Sequence, residues 1–163
     1  MSVAPSVWAI VQVHPVHDRR ALETHFAALS NEDLSNRFCG AVRPAAVIEY
    51  LDQLSLAGVQ SYGIYDHKLA LVAACQLADS AECLEVGISV VPAYRGRGLA
   101  RALLHRSAKY ARARGLKALV IHSLADNAPM LSLARHFGMT VDVSMGWAIG
   151  RLTLRADTAS AAA

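Results

Sequence analysis

The chain has 163 residues, 16 Lys and Arg against 13 Asp and Glu, a net charge of +3 and 54% hydrophobic residues. That length fits one domain with a core that needs neither disulfides nor metal, and the composition excludes global disorder and, with no apolar run of spanning length, a membrane-crossing chain. Cys39, Cys75 and Cys83 are odd in number and lack CxxC spacing, so reduced thiols in a cytoplasmic protein without a metal site are expected, while the apolar excess raises the expectation of a homodimer.

Met1 to His17 carries no Asp, Glu, Lys or Arg. It lacks a cationic start, and Pro5, Gln12, His14 and Pro15 interrupt it, so no signal peptide is expected. Val7 to Val13 is β-branched and apolar and predicts a first strand. Pro15 fits a helix start, with Leu22, Phe26 and Leu29 at helical spacing. Ser30 to Asp33 has the capping-box pattern of a second helix. Pro44 opens a third, carrying Val47, Ile48, Leu51 and Leu54, with Gly58 past its end. Strands are expected over 61–65, 69–77 and 83–91, with turns at 66–68 and 78–81; such short links predict an antiparallel meander. A long helix follows over 98–114, stopped by Gly115, apolar on the face of Leu99, Leu103, Leu104 and Ala111. Residues 117–123 read as strand, 127–137 as helix, and 139–143 and 147–154 as two last strands. The order β, helices, βββ, helix, β, helix, ββ predicts an α/β fold with a mixed sheet in which one strand–helix–strand unit is parallel. The domain is placed at 1–155, with a small polar tail over 156–163.

No Asp or Glu stands between Glu85 and Asp126, where eight of the 16 Lys and Arg fall. Something anionic is expected there, a phosphorylated cofactor or nucleic acid. Arg106, Lys109, Arg112 and Arg114 read as a solvated helix face. Only Tyr94 and Tyr110 interleave with these charges, which argues against nucleic acid.

The segment Val90-Val91-Pro92-Ala93-Tyr94-Arg95-Gly96-Arg97-Gly98-Leu99-Ala100 ends a strand, turns and opens a helix. A helix N-terminus offers unpaired N–H groups and partial positive charge, which together bind anions. Gly96 and Gly98 let the backbone approach a phosphate, and Arg95 and Arg97 add charge. A P-loop needs a GK[ST] ending, which is absent, and a dinucleotide fingerprint needs Gly where Arg101 stands. Arg95-x-x-Gly98-x-Ala100 resembles the pyrophosphate motif [RQ]-x-x-G-x-[GA] of the GNAT superfamily of N-acetyltransferases, in the same strand-to-helix position. Asn127, Leu133, Gly138 and Met139 stand where that family has an Asn and a helix ending in Gly-Phe, with Met for Phe. The motif similarity covers about Glu85 to Met139, and the element order agrees over nearly the whole chain. Leu29-Ser30-x-Glu32, Arg37-Phe38 and Met130-Leu131-x-Leu133-Ala134-Arg135 resemble segments of the GNAT domain in bacterial protein-lysine acetyltransferases.

The resemblance implies a mostly antiparallel sheet of about seven strands flanked by helices, with a splayed parallel pair at the cofactor site. It implies acetyl-CoA as cofactor, its pyrophosphate held by Arg95, Gly96, Arg97, Gly98, Leu99 and Ala100. Pantetheine would lie beside Val90 and Val91, with Asn127 near it and an oxyanion donor at a backbone N–H near Val91. The reaction implied is direct attack of a primary amine, on a small molecule or a protein lysine, on the thioester. The family Tyr seven residues after the Asn is Ala134 here, so the usual proton donor to the thiolate is missing.

Amine attack needs a neutral nitrogen, and hence a base. In the strand over 83–91, Leu84, Val86, Ile88 and Val90 alternate with Glu85, Gly87 and Ser89, an acid beside small side chains that leave room for a substrate. Glu85 is the expected general base. It also matches the A-E-hydrophobic-A pattern of lysine acetyltransferase relatives, with Leu84 and Gly87 at the Ala positions. The competing expectation is an ion pair between Glu85 and a base across the hairpin. His122, in a strand, could reach the cleft, but a core histidine is the favoured reading. A non-catalytic acyl-CoA-binding module is the alternative function, kept open by Ala134.

Overall fold

The computed structural model describes residues 8–155. Val7 of the first expected strand and the tail over 156–163 lie outside the described residues. The elements are β1 (Ile10–Gln12), α1 (Arg19–Ala27), α2 (Asn31–Phe38), α3 (Pro44–Ala57), β2 (Gln60–Tyr65), β3 (Leu71–Ser80), β4 (Cys83–Val90), α4 (Leu99–Ala113), β5 (Ala118–Leu124), α5 (Ala128–His136), β6 (Thr140–Ser144) and β7 (Trp147–Thr153). The strands form one sheet in the order β1-β2-β3-β4-β5-β7-β6. Every pairing is antiparallel except β4 with β5, which α4 connects.

Alternation along β3 divides the core. Ala73 and Cys75 join Leu99, Leu103 and Leu104 of α4 on one face. Ala74, between them, joins Leu22 and Phe26 of α1, Leu34 of α2 and Leu51 of α3 on the other. Two helices of that second layer begin or end where their sequence dictates. Ser30 and Asp33 cap α2 reciprocally, at 3.1 and 2.9 Å. Pro44 opens α3, and Gly58 closes it in the left-handed region.

Several boundaries differ from the sequence reading; β1 is only Ile10–Gln12, and β3 starts at Leu71 because Leu69 sits in the turn at φ 61°. Residues 15–18 form a turn, because the Asp18 side chain accepts from the His14 N–H at 2.7 Å, and α1 starts only at Arg19. β3 runs on to Ser80, since Asp79 and Ser80 pair with Leu84 and Cys83. The turn expected over 78–81 therefore shrinks to Ala81 and Glu82. Arg106 is not simply solvated: it stacks over the Tyr62 ring at 4.3 Å and donates to its hydroxyl at 3.0 Å. No helix among the described residues is long and apolar enough to cross a membrane.

Candidate active site

The parallel pair is short. β4 and β5 share three register positions, from Cys83–Ala118 to Glu85–Val120, and then part. β4 stays on β3 throughout. The Val91 N–H continues that ladder, donating to the Val72 carbonyl at 3.0 Å. Hydrogen-bonded and non-bonded pairs alternate in an antiparallel ladder, so Ile88 and Val90 turn their N–H and C=O groups away from β3, into the gap left by β5. The Val91 amide is thus spent within the sheet and is no oxyanion donor. The amides that face the gap are those of Ile88 and Val90.

At the open end of this gap the chain makes a 3₁₀ turn over Pro92–Tyr94 and enters α4. Gly96 and Gly98 have φ of 72° and 79°, a region that side chains disfavour. Gly98 is the N-cap and offers no side chain to the helix. Among the described residues, no backbone N–H from Gly96 to Arg101 has an acceptor. Six consecutive amides, the last three in the first turn of α4, are therefore left for an anion. A Cβ built on Gly98 meets nothing within 4 Å, so its missing side chain leaves open space.

A cleft of about 500 Å³ occupies the gap. Val90, Arg95, Gly96, Gly98, Leu99, Ala100 and Asn127 line it; Val91 and Arg97 do not. Arg97 turns back, over the Tyr94 ring at 4.8 Å and onto the Ala93 carbonyl at 3.1 Å. Tyr94 itself is pinned by its hydroxyl to Asp66 at 2.6 Å. Arg95 is tied to Asp33 of α2 at 2.6 Å and to the Val90 carbonyl at 3.2 Å, so it braces α2 against the turn. Burial pushes the Asp33 carboxyl up, but its bonds to Ser30 and the Arg95 charge outweigh that and hold it below the usual range. Asn127 caps α5 through Oδ1, which accepts from the Met130 N–H at 3.3 Å. Its amide nitrogen has no partner among the described residues. Ala134 is fully buried in the core, and its methyl does not line the cleft.

Glu85 opens onto a second cavity of about 440 Å³, with Gly87, His122, Arg37, Tyr50 and Gln76. It has no base across the hairpin, where Ala78 is its neighbour. The nearby imidazole belongs instead to His122 of the parallel strand, with Nε2 3.8 Å from Oε1. Both side chains are about half exposed. His122 is therefore not a core histidine. It stands two residues past Val120, the last partner of β4, where the cover ends.

The small residues beside Glu85 do not leave empty space. A side chain on Gly87 would coincide with the Arg37 guanidinium. Ser89 meets His25, which is 1% exposed. His25 Nδ1 lies 2.9 Å from the Leu71 carbonyl and must carry the proton, so Nε2 accepts from the Ser89 hydroxyl at 2.7 Å. Ser89 thus presents only lone pairs to the first cleft, which it lines. Burial, with the Arg37 charge adding to it, holds the His25 imidazole below its ordinary value although the Leu71 carbonyl opposes this. Sequence reasoning singled out neither His25 nor Gln76, and read Arg37 only as part of a motif. His25 left one signal, a polar residue on the apolar face that Leu22, Phe26 and Leu29 define.

The model of the acetyltransferase (GNAT) family matches residues 14–139. Mycothiol acetyltransferase from Arthrobacter sp. (strain FB24) is 42% identical over 53 residues, which is 32% of this chain and 16% of that enzyme. The match thus spans a small part of that relative. Among solved structures, the GNAT domain of S. lividans PAT superposes with a TM-score of 0.75 at 21% identity, over 90% of each chain. The protein yncA from Salmonella typhimurium, solved with its cofactor acetyl-CoA, gives 0.67 at 20% identity, over 97% of this chain and 100% of the other. A phosphinothricin acetyltransferase from Sinorhizobium meliloti in complex with acetyl-CoA gives 0.69 at 15% identity, over 94% and 92%. These superpositions show the fold.

Proposed function

The chain belongs to the acetyltransferase (GNAT) family, and on that premise we propose that it binds acetyl-CoA between β4 and β5 and transfers the acetyl group to a primary amine held beside Glu85. The observation that carries the reading is the run of six amides from Gly96 to Arg101 without acceptors, opening on the cleft. These N–H groups suit a pyrophosphate, and the space at Gly98 suits its close approach. The free edge of β4 at Ile88 and Val90 suits the amides of pantetheine. The acetyl-CoA complexes of two proteins with this fold agree with that use.

In this reading the amine nitrogen attacks the thioester carbonyl carbon. Glu85 takes the proton the nitrogen loses, directly or through one water, as the C–N bond forms and the C–S bond breaks. The Ile88 N–H, which faces the gap and lies closer to Glu85 along β4, takes the oxyanion role first expected near Val91. The sulfur leaves as thiolate. With a thiol pKa of about 8.5 it is a fair leaving group, and solvent supplies its proton. Ala134, buried as it is, takes no part. Isothermal calorimetry with coenzyme A and a thiol-release assay over an amine panel test the proposal together. Absence of binding heat defeats it, and binding without release on every amine favours the non-catalytic module.

A further inference from the structure

Arg37 carries a charge that no carboxylate in the described fold answers; its guanidinium lies over the rings of Phe38 and Tyr50, at 4.9 and 5.7 Å. It reaches from α2 across the sheet and lays its guanidinium over Gly87 of β4. Nη2 donates to the Tyr50 hydroxyl at 2.9 Å and to Gln76 Oε1 at 2.7 Å, both neutral. Among the described residues no carboxylate forms an ion pair with it. Its Nε is buried without a partner, and so is Nε2 of Gln76, a side chain 4% exposed. The Gln76 carbonyl is drawn to the guanidinium, which fixes the orientation of its NH₂. A half-buried cation held only by neutral partners is under-compensated, and an anion that joins it offsets that cost. Arg37, Gln76, Glu85 and His122 share the second cavity, and Arg37 also borders the first cleft. Glu85 and Gly87 lie on one face of β4, about 7 Å apart along the strand. An amine and a carboxylate on one small molecule bridge such a span, with a hydrogen bond at each end.

We infer that the acceptor amine carries its own carboxylate, as a free amino acid does, with the carboxylate received by Arg37 and the Gln76 amide while the nitrogen faces Glu85. The inference rests on the acetyl transfer proposed above. It makes Arg37 and Gln76 specificity determinants, and it selects a small zwitterionic acceptor over a lysine on a protein surface.

The test compares matched amines: a set of amino acids, the same amino acids as carboxamides, and the amines without the carboxyl group. kcat/KM is measured with acetyl-CoA for the wild type, Arg37→Gln and Gln76→Leu. The expected result is a preference for the carboxylate form of about 10–100-fold, as for a hydrogen bond to a charged group. Both variants are expected to compress that ratio about tenfold. The ratio is insensitive to a general loss of activity, and if Arg37→Gln fails to fold, the wild-type ratio and Gln76→Leu decide. An Arg37 that acted on the thioester would slow every amine equally and leave the ratio intact, which would overturn the inference. Equal turnover of acid and carboxamide, transfer confined to peptide lysines, or acetyl-CoA binding without transfer to any carboxylated amine would overturn it too. Absence of coenzyme A binding by the wild type removes the acetyltransferase reading itself.

Discussion

Replacing Gly98 by alanine separates the anion site from the fold that carries it. At φ 79° an L-residue is strained by roughly 1–2 kcal/mol, and the new methyl meets no protein atom within 4 Å. The stability cost is that strain alone, about 2–8 °C in Tm for a domain of this size. The ligand cost is separate. The methyl enters the open space before the amides of Leu99 and Ala100. Losing one charge-assisted bond to a phosphate costs about 1.5–3 kcal/mol, or roughly 10–100-fold in Kd. Gly115 provides the control: its φ is 69°, its Cβ also meets nothing, and it lies at the far end of α4, away from the cleft. Calorimetric titration with coenzyme A, beside thermal melts, measures both quantities for both variants. The expected outcome is similar destabilisation in the two and weakened binding in Gly98→Ala only. Equal affinities within twofold, at equal melting shifts, would refute the assignment of the Gly96–Arg101 amides to the pyrophosphate.

Glu85→Gln is expected to lower turnover about 10²–10⁴-fold with little change in coenzyme A affinity, read by thiol release and calorimetry; near-normal turnover would reject the base assignment. Gly87→Ala is expected to expel the Arg37 guanidinium, with the bonds to Tyr50 and Gln76 lost. Its melting point should fall and the carboxylate preference should go with it; a preserved preference would show that the guanidinium does not need that socket. The buried imidazole of His25 gives a pH signature. Its folded pKa lies below the unfolded value of 6.5, so below that pH the unfolded chain binds a proton that the native state does not. Stability should therefore fall as pH drops from about 6.5 towards the folded pKa, and denaturant melts of His25→Gln should lose that slope.

The order of elements was legible because it rests on local rules. Periodicity, the Ser30 capping box, Pro44 and the glycines at 58 and 115 act within a few residues, and so does the cradle from Gly96 to Arg101. Errors came where a distant strand decides. Asp79 and Ser80 look like turn residues, yet Leu84 and Cys83 hold them in the β3–β4 ladder. His122 looks like a core position in an apolar strand, and only the departure of β4 after Glu85 uncovers it. The Val91 amide would be free in an isolated strand, but Val72 claims it from 19 positions earlier in the chain.

On the proposed reading, the two halves of the site differ in what they are made of. The cofactor half is backbone: amides of the turn before α4 and the free edge of β4, whose availability follows from glycine positions and strand pairing. The acceptor half is side chains from separate elements, Glu85 and His122 from the sheet, Arg37 from α2, Tyr50 from α3. Gly87 and Ser89 show why the sequence of β4 alone misleads about it. Small residues next to an acid suggest room for a substrate, but here they are sockets, one for a guanidinium and one for an imidazole. The volume that β4 gives up is taken by α1 and α2. On the proposed reading, acceptor choice is set by which side chain α2 sends into the socket at Gly87. Substitutions at position 37 should change the preferred amine, whereas substitutions in the turn before α4 should change only the affinity for the acyl donor.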